Sequence, residues 1–181
     1  MAHSEGLERR GVSPWRVAGW GFAGLLLLLP LVAMQFTGEV KWDYKDFIFA
    51  AVLIGSVGVG FEVAVRMTTN LSYRAAAAVA LGVSFMIIWA NGAVGMIGDE
   101  DNPYNLLFLG VTGLALTGTV VARFRANGMA LAMLVAGIVH ASVALGGMAT
   151  DMRGAMFSIV FALGWLFSAA LFRHAAGQRA A

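Results

Sequence analysis

Cysteine is absent from the 181 residues, which excludes disulfides, thiolate metal sites and cysteine nucleophiles. Charge is scarce as well. Asp, Glu, Lys and Arg make up 12% of the chain, against about 25% in an ordinary water-soluble domain, too little to coat a surface that faces water. The formal net charge of +2 comes from scattered arginines. There is no stripe of basic residues interleaved with aromatics, so nucleic acid is not an expected partner. Long polar stretches are also missing, the longest being residues 1–16, and a separate soluble domain has no room. The sequence has no His-x-x-x-His pair, no Ser/His/Asp set, no glycine-rich phosphate loop and no intramembrane pair of carboxylates. An enzyme needs a nucleophile with its base, or a metal cage, so catalysis is not expected and no cofactor is required.

What is present is apolar. Hydrophobic residues form 60% of the chain and the mean hydropathy is +0.80. Six apolar stretches occupy residues 17–36, 47–65, 75–97, 106–122, 129–148 and 155–172. Each is near the ~20 residues that cross ~30 Å of hydrocarbon as a helix, and in lipid only a helix bonds its own backbone within one segment. The expected fold is therefore all-α, an integral membrane bundle of six transmembrane helices. Residues 1–16 form a cytoplasmic N-terminal segment, 17–173 the transmembrane domain and 174–181 a cytoplasmic tail. Arg9, Arg10 and Arg16 precede Leu25–Leu29 much as in a signal peptide, but no small-x-small cleavage site follows. The first stretch reads as an uncleaved anchor.

Basic residues in short loops mark the cytoplasmic side. Arg9, Arg10, Arg16, Arg66, Arg74, Arg123, Arg125, Arg173 and Arg179 fall on one side of the six spans; Lys41, Lys45 and Arg153 fall on the other with most of the carboxylates. Both termini are expected inside. The spans then pair as three hairpins joined by outer loops. Sliding the second span onto the fourth matches Asp46 with Asn105, Phe49 with Phe108, Val52 with Val111 and Arg66 with Arg125, the register of a parallel repeat. Asp46, Asn102 before Pro103, and Thr150 or Asp151 are expected helix caps. Glycines and the pairs Ser56/Gly60 and Ser142/Gly146 suit close helix packing in lipid and self-association.

Ionisable groups within spans are costly and default to functional candidates. Two occur. His140 lies ~18 Å along the fifth span and is either a proton-relay, metal or haem group or a neutral imidazole bonded to a Ser or Thr hydroxyl on a neighbouring helix. His3 and His174 lie in the terminal segments, so a bis-histidine haem would need a second chain. Glu62 precedes Arg66 by four residues, a favourable helical pair about 6 Å from the cytoplasmic end. It either orients that end or binds a substrate or cation. Asn91, ~9 Å below the outer surface, is interhelical glue or part of a vestibule.

The loop Gly98-Asp99-Glu100-Asp101-Asn102-Pro103 sets Asp99, Glu100 and Asp101 side by side. Those carboxylates suit a hard cation, which wants six or more oxygens, although a solvated loop ending in a helix cap explains them too. Met34, Met96, Met148, Met152 and Met156 gather toward the outer side, where thioethers suit Cu(I) or simply fill apolar space. Trp15, Trp42, Tyr44 and Tyr104 fall at interfaces, where such rings anchor helices.

The segment Met34-Gln35-Phe36-Thr37-Gly38-Glu39-Val40-Lys41-Trp42 with Asp46-Phe47 resembles a group of small bacterial polytopic inner-membrane proteins of unassigned function. So does Asn91-Gly92-Ala93-Val94-Gly95-Met96-Ile97-Gly98 through Pro103. The resemblance implies a bacterial inner-membrane location and carries no activity. Two function classes stand open beside a haem protein. One is permeation or transport of a small solute, proton or ion; the other is a non-catalytic accessory or assembly subunit of a larger membrane complex. The expected partners are the lipid bilayer and a homo-oligomer or larger complex.

Overall fold

A computed structural model of the protein describes residues 14–178. His3, Arg9, Arg10 and Arg179 lie outside the described residues. All regular structure among the described residues is helical: α1 (Pro14–Phe36), α2 (Tyr44–Met67), α3 (Leu71–Ala93), a short 3-10 turn (Pro103–Asn105), α4 (Leu106–Val121), α5 (Ala126–Gly147) and α6 (Met152–Gly177). Six of these helices are long and apolar enough to cross a membrane, α4 counted with its 3-10 turn. The expected all-α class and the number of spans are both present.

Local chemistry sets the helix ends. Asn70 caps α3 by accepting the Tyr73 N–H at 2.9 Å, and Asn102 accepts the Tyr104 N–H at 3.0 Å, with Pro103 opening the 3-10 turn. Asp151 caps α6 through the Gly154 N–H at 3.0 Å. At α2 the expected cap moves back one turn. Asp43, rather than Asp46, accepts the N–H groups of Lys45 and Asp46 at 2.7 and 3.1 Å. Asp46 reaches back to the Asp43 N–H at 2.8 Å, a reciprocal box that satisfies donors on both sides of the helix start.

The chain divides into two compact units, Met1–Gly58 and Val59–Ala181. In the first, the Trp20 indole lies against Gly58, where a Cβ would come within 3.0 Å of the ring. No described residue of α1 is fully buried.

In the second unit α5 packs on α6 and α4, α6 packs on α3, and α3 touches α4 more lightly. The four helices thus close a ring in the order α3, α6, α5, α4. α6 supplies the longest buried face: Ala155, Ser158, Phe161, Ala162, Trp165, Ser168, Ala169, Phe172 and Ala175 recur at three- and four-residue steps along one side. Small residues between the large rings let neighbouring backbones approach, the main source of helix association in lipid. Gly137 on α5 is the clearest case. A Cβ there would meet the Leu166 side chain at 2.8 Å and the Ala162 carbonyl at 3.3 Å.

Polar side chains tie each stretch of this ring. Ser168 donates to the Ala76 carbonyl between α6 and α3 at 2.9 Å. His140 and Ser158 join α5 to α6 at 3.0 Å, and Tyr104 reaches the Val143 carbonyl of α5 at 2.8 Å. Tyr73 of α3 donates to the Phe124 carbonyl, in the turn after α4, at 2.8 Å. Arg123 and Phe124 in that turn both have left-handed φ, 50° and 59°, which costs a non-glycine residue about 1–2 kcal/mol. The Tyr73 hydroxyl, backed by a 4.9 Å edge contact of its ring with Phe172, holds the turn in place.

Candidate functional site in the four-helix unit

The connection from α3 to α4 is built before the interior it covers. Gly95 and Gly98 take positive φ, 76° and 72°, and the chain turns twice so that Met96 and Ile97 point inward, 2% and 0% exposed. Their two N–H groups are buried and need acceptors. Asn105 supplies both, its Oδ1 receiving Met96 at 3.0 Å and Ile97 at 2.8 Å, while its Nδ2 donates to the Asp99 carbonyl at 2.7 Å. Asn102 Nδ2 donates to the Ile97 carbonyl at 2.9 Å. The Gly98 N–H donates to Asp151 at 3.1 Å, so the cap of α6 also fastens this loop. Donation from Gly154 first and Gly98 second, with the Arg153 charge nearby, holds the Asp151 carboxyl below its ordinary range.

Asp99, Glu100 and Asp101 are exposed on the outside of this loop. Among the described residues no three His, Asp or Glu side chains are grouped to hold a metal ion. Met152 and Met156 are more than half exposed, whereas Met96 is buried. Glu62 and Arg66 meet as expected, Nε to Oε1 at 2.7 Å, with side chains 20% and 66% exposed respectively.

Below the loop, His140 is fully buried. It lies seven residues before the end of α5 and Ser158 six residues after the start of α6, so both stand about 9–10 Å from the helix ends at 1.5 Å per residue. Nε2 of the imidazole meets the Ser158 hydroxyl, itself fully buried. Phe108 of α4 and Phe161 of α6 flank the ring at centroid distances of 5.0 and 6.3 Å. The other ring nitrogen, Nδ1, has no hydrogen-bond partner.

Two more buried atoms share that condition. Asn91, 8% exposed, donates Nδ2 to the Ile87 carbonyl of its own helix at 2.7 Å, and its Oδ1 is unpaired. Trp165, 1% exposed, has an unpaired Nε1. It lies on the same buried face of α6 as Ser158, seven residues on and so about 10 Å further along the axis.

The structure thus brings together Glu62 with Arg66 and, separately, His140 with Ser158. It adds Trp165, which the sequence reading did not single out, Asn105, read there only as the register match of Asp46, and Tyr104, read as an interface anchor. The only signal for Ser158 and Trp165 was their shared helical phase with Phe161 and Phe172. Comparison with protein-family models, curated proteins and solved structures returns no match.

Proposed function

We propose that this chain is a multi-pass protein of a bacterial inner membrane that passes a small solute, proton or ion through the α3–α6 unit. The observation that carries the reading is the fully buried imidazole of His140 with one nitrogen bonded and one open. In a protein interior a polar atom without a partner costs a few kcal/mol, and in hydrocarbon no solvent relieves it. Well-made helix glue uses both ends of its polar group, as Asn105 does. With Trp165 Nε1 and Asn91 Oδ1 also unpaired elsewhere in the interior, the helices hold donor and acceptor capacity that a small solute or ion can use.

The cytoplasmic placement of both termini is part of the proposal. It is supported by the described arginines: Arg16 at the start of the first span, Arg66 and Arg74 about the second-to-third connection, Arg123 and Arg125 about the fourth-to-fifth, and Arg173 near the end of the sixth. The bacterial membrane is supported by the resemblance of the Met34–Trp42 and Asn91–Pro103 segments to small inner-membrane proteins. Glu62, paired with Arg66 near the same side, is the entry group in this reading.

Reconstituted vesicles test it. His140→Ala and Glu62→Gln should each abolish uptake while helicity by circular dichroism and elution as a single species persist. Flux equal to that of the unmodified chain in both variants would reject the site. The second reading, an accessory subunit of a larger membrane complex, is favoured by α1, an apolar helix in which no described residue is fully buried. Purification in a gentle detergent should then recover a stoichiometric partner; a single homogeneous species without one counts against it.

A further inference from the structure

We infer that one end of the four-helix unit is a binding face for the headgroup of an anionic phospholipid, with Arg74, Arg123, Arg125 and Arg173 holding its phosphates. The inference goes beyond the permeation reading and does not depend on it.

The face is organised by Tyr73, in the first turn of α3. Its ring meets Phe172 of α6 edge-on at 4.9 Å, and its hydroxyl donates to the Phe124 carbonyl, between α4 and α5, at 2.8 Å. Three segments distant in sequence therefore converge on one tyrosine. Each of the converging residues has arginine as a chain neighbour: Arg74 after Tyr73, Arg123 and Arg125 on either side of Phe124, and Arg173 after Phe172. Adjacent Cα atoms are about 3.8 Å apart, so the four arginines stand around a common hub. Arg123, Arg125 and Arg173 are exposed. Arg74 is anchored, its guanidinium donating to the Thr68 and Val65 carbonyls at 2.7 and 2.8 Å. Neutral acceptors fix its position without cancelling its charge.

Charge in the unit is sorted to match. The carboxylates of residues 59–178 are Glu62, Asp99, Glu100, Asp101 and Asp151. Glu62 is bonded to Arg66. The other four lie in the connections after α3 and α5, at the far end, where the bond from Gly98 to Asp151 ties those connections together. Sidedness in a membrane asks only that basic residues lie on one side. It does not ask that charges from three segments gather around one side chain, where they repel one another; a bound anion replaces that repulsion with attraction. The hub lies at the ends of membrane-length helices, the depth of lipid headgroups. Guanidinium groups take phosphate oxygens through two parallel N–H bonds, and basic clusters in this layer suit phosphate headgroups. Four arginines are more than one phosphate needs, so a lipid with two phosphates is held tighter than a lipid with one.

The full chain in a mild non-ionic detergent, titrated with cardiolipin, phosphatidylglycerol or phosphatidylcholine and read by native mass spectrometry, tests the face. Cardiolipin should bind tightest and phosphatidylcholine weakest. Arg123→Gln combined with Arg125→Gln should weaken cardiolipin binding about tenfold. Tyr73→Phe keeps all four charges but releases the turn that carries two of them, and should weaken binding by a smaller factor. Arg153→Gln, at the far end, should leave it unchanged. Equal affinity of the unmodified chain for cardiolipin and phosphatidylcholine overturns the inference without recourse to any variant. Binding equal to that of the unmodified chain in the double variant or in Tyr73→Phe overturns it too, as does a loss in Arg153→Gln as large as in the double variant. Inorganic pyrophosphate that displaces cardiolipin at equal concentration would assign the arginines to a soluble phosphate and contradict the lipid. Flux plays no part in this readout, so failure here leaves the permeation reading standing.

Discussion

Asn105 and Asn91 are the same residue type, both buried in the same unit at opposite ends of one connection, and they are used in opposite ways. Asn105 accepts two N–H groups and donates to a carbonyl. Asn91 turns its amide group back onto its own helix and leaves its oxygen open. The difference follows from what surrounds them. The loop at residues 94–102 is irregular, and irregular backbone must have its polar groups satisfied by side chains when it is buried. Asn91 sits on a helix whose backbone is already bonded, so nothing nearby demands its oxygen. Polar groups in the loop at residues 94–102 are consumed by structure; on the helices Asn91 Oδ1, His140 Nδ1 and Trp165 Nε1 have no partner.

That contrast breaks most readily at Asn105. Its replacement by Ala strands the N–H groups of Met96 and Ile97, and should cost about 2–4 kcal/mol by the usual penalty for buried unpaired donors. Thermal unfolding in detergent would register the loss, together with faster proteolysis between α3 and α4. A cost close to zero would mean that the loop is not held by this side chain.

Ser158→Ala sharpens the other side of the comparison. It removes one bond and frees Nε2 of His140, for a smaller expected loss of about 1–2 kcal/mol, measured the same way. A loss as large as that of Asn105→Ala would show the pair to be a structural clamp.

Acid supplies the weakest probe. The Asp151 carboxyl is held below its ordinary value of 3.8 by N–H donation from Gly154 and Gly98. Its contribution to the α6 cap is therefore complete above that ordinary value, and is lost only as the pH falls through the lower, folded one. Asp151→Asn should remove this acid-dependent step from the unfolding midpoint and leave the profile above pH 5 parallel to the parent. An unchanged acid limb would assign the step to another carboxylate.

Much of the fold was legible in the sequence because hydrocarbon imposes a simple rule, long apolar runs that are helical. Asp151 as a cap and a hydroxyl partner for His140 were legible too, since caps are local and a buried imidazole has few choices. The order of helices around the ring was not. Helices in lipid are apolar on every side, so periodicity does not mark the face that packs. For the same reason the register matching α2 to α4 misleads: Phe49 and Val52 are 45% and 63% exposed, while Phe108 and Val111 are 0% and 2%. Asp43 displaced Asp46 as the α2 cap because a reciprocal box needs both carboxylates, and a single-residue rule names only one. Trp165 was not singled out, since a tryptophan in an apolar run shows nothing of whether its N–H is met.

Uptake by reconstituted vesicles decides the central claim most directly. Loss of flux in His140→Ala, with helicity and a single elution peak retained, is the expected result for a fully buried imidazole that serves permeation. Flux equal to that of the unmodified chain would contradict it.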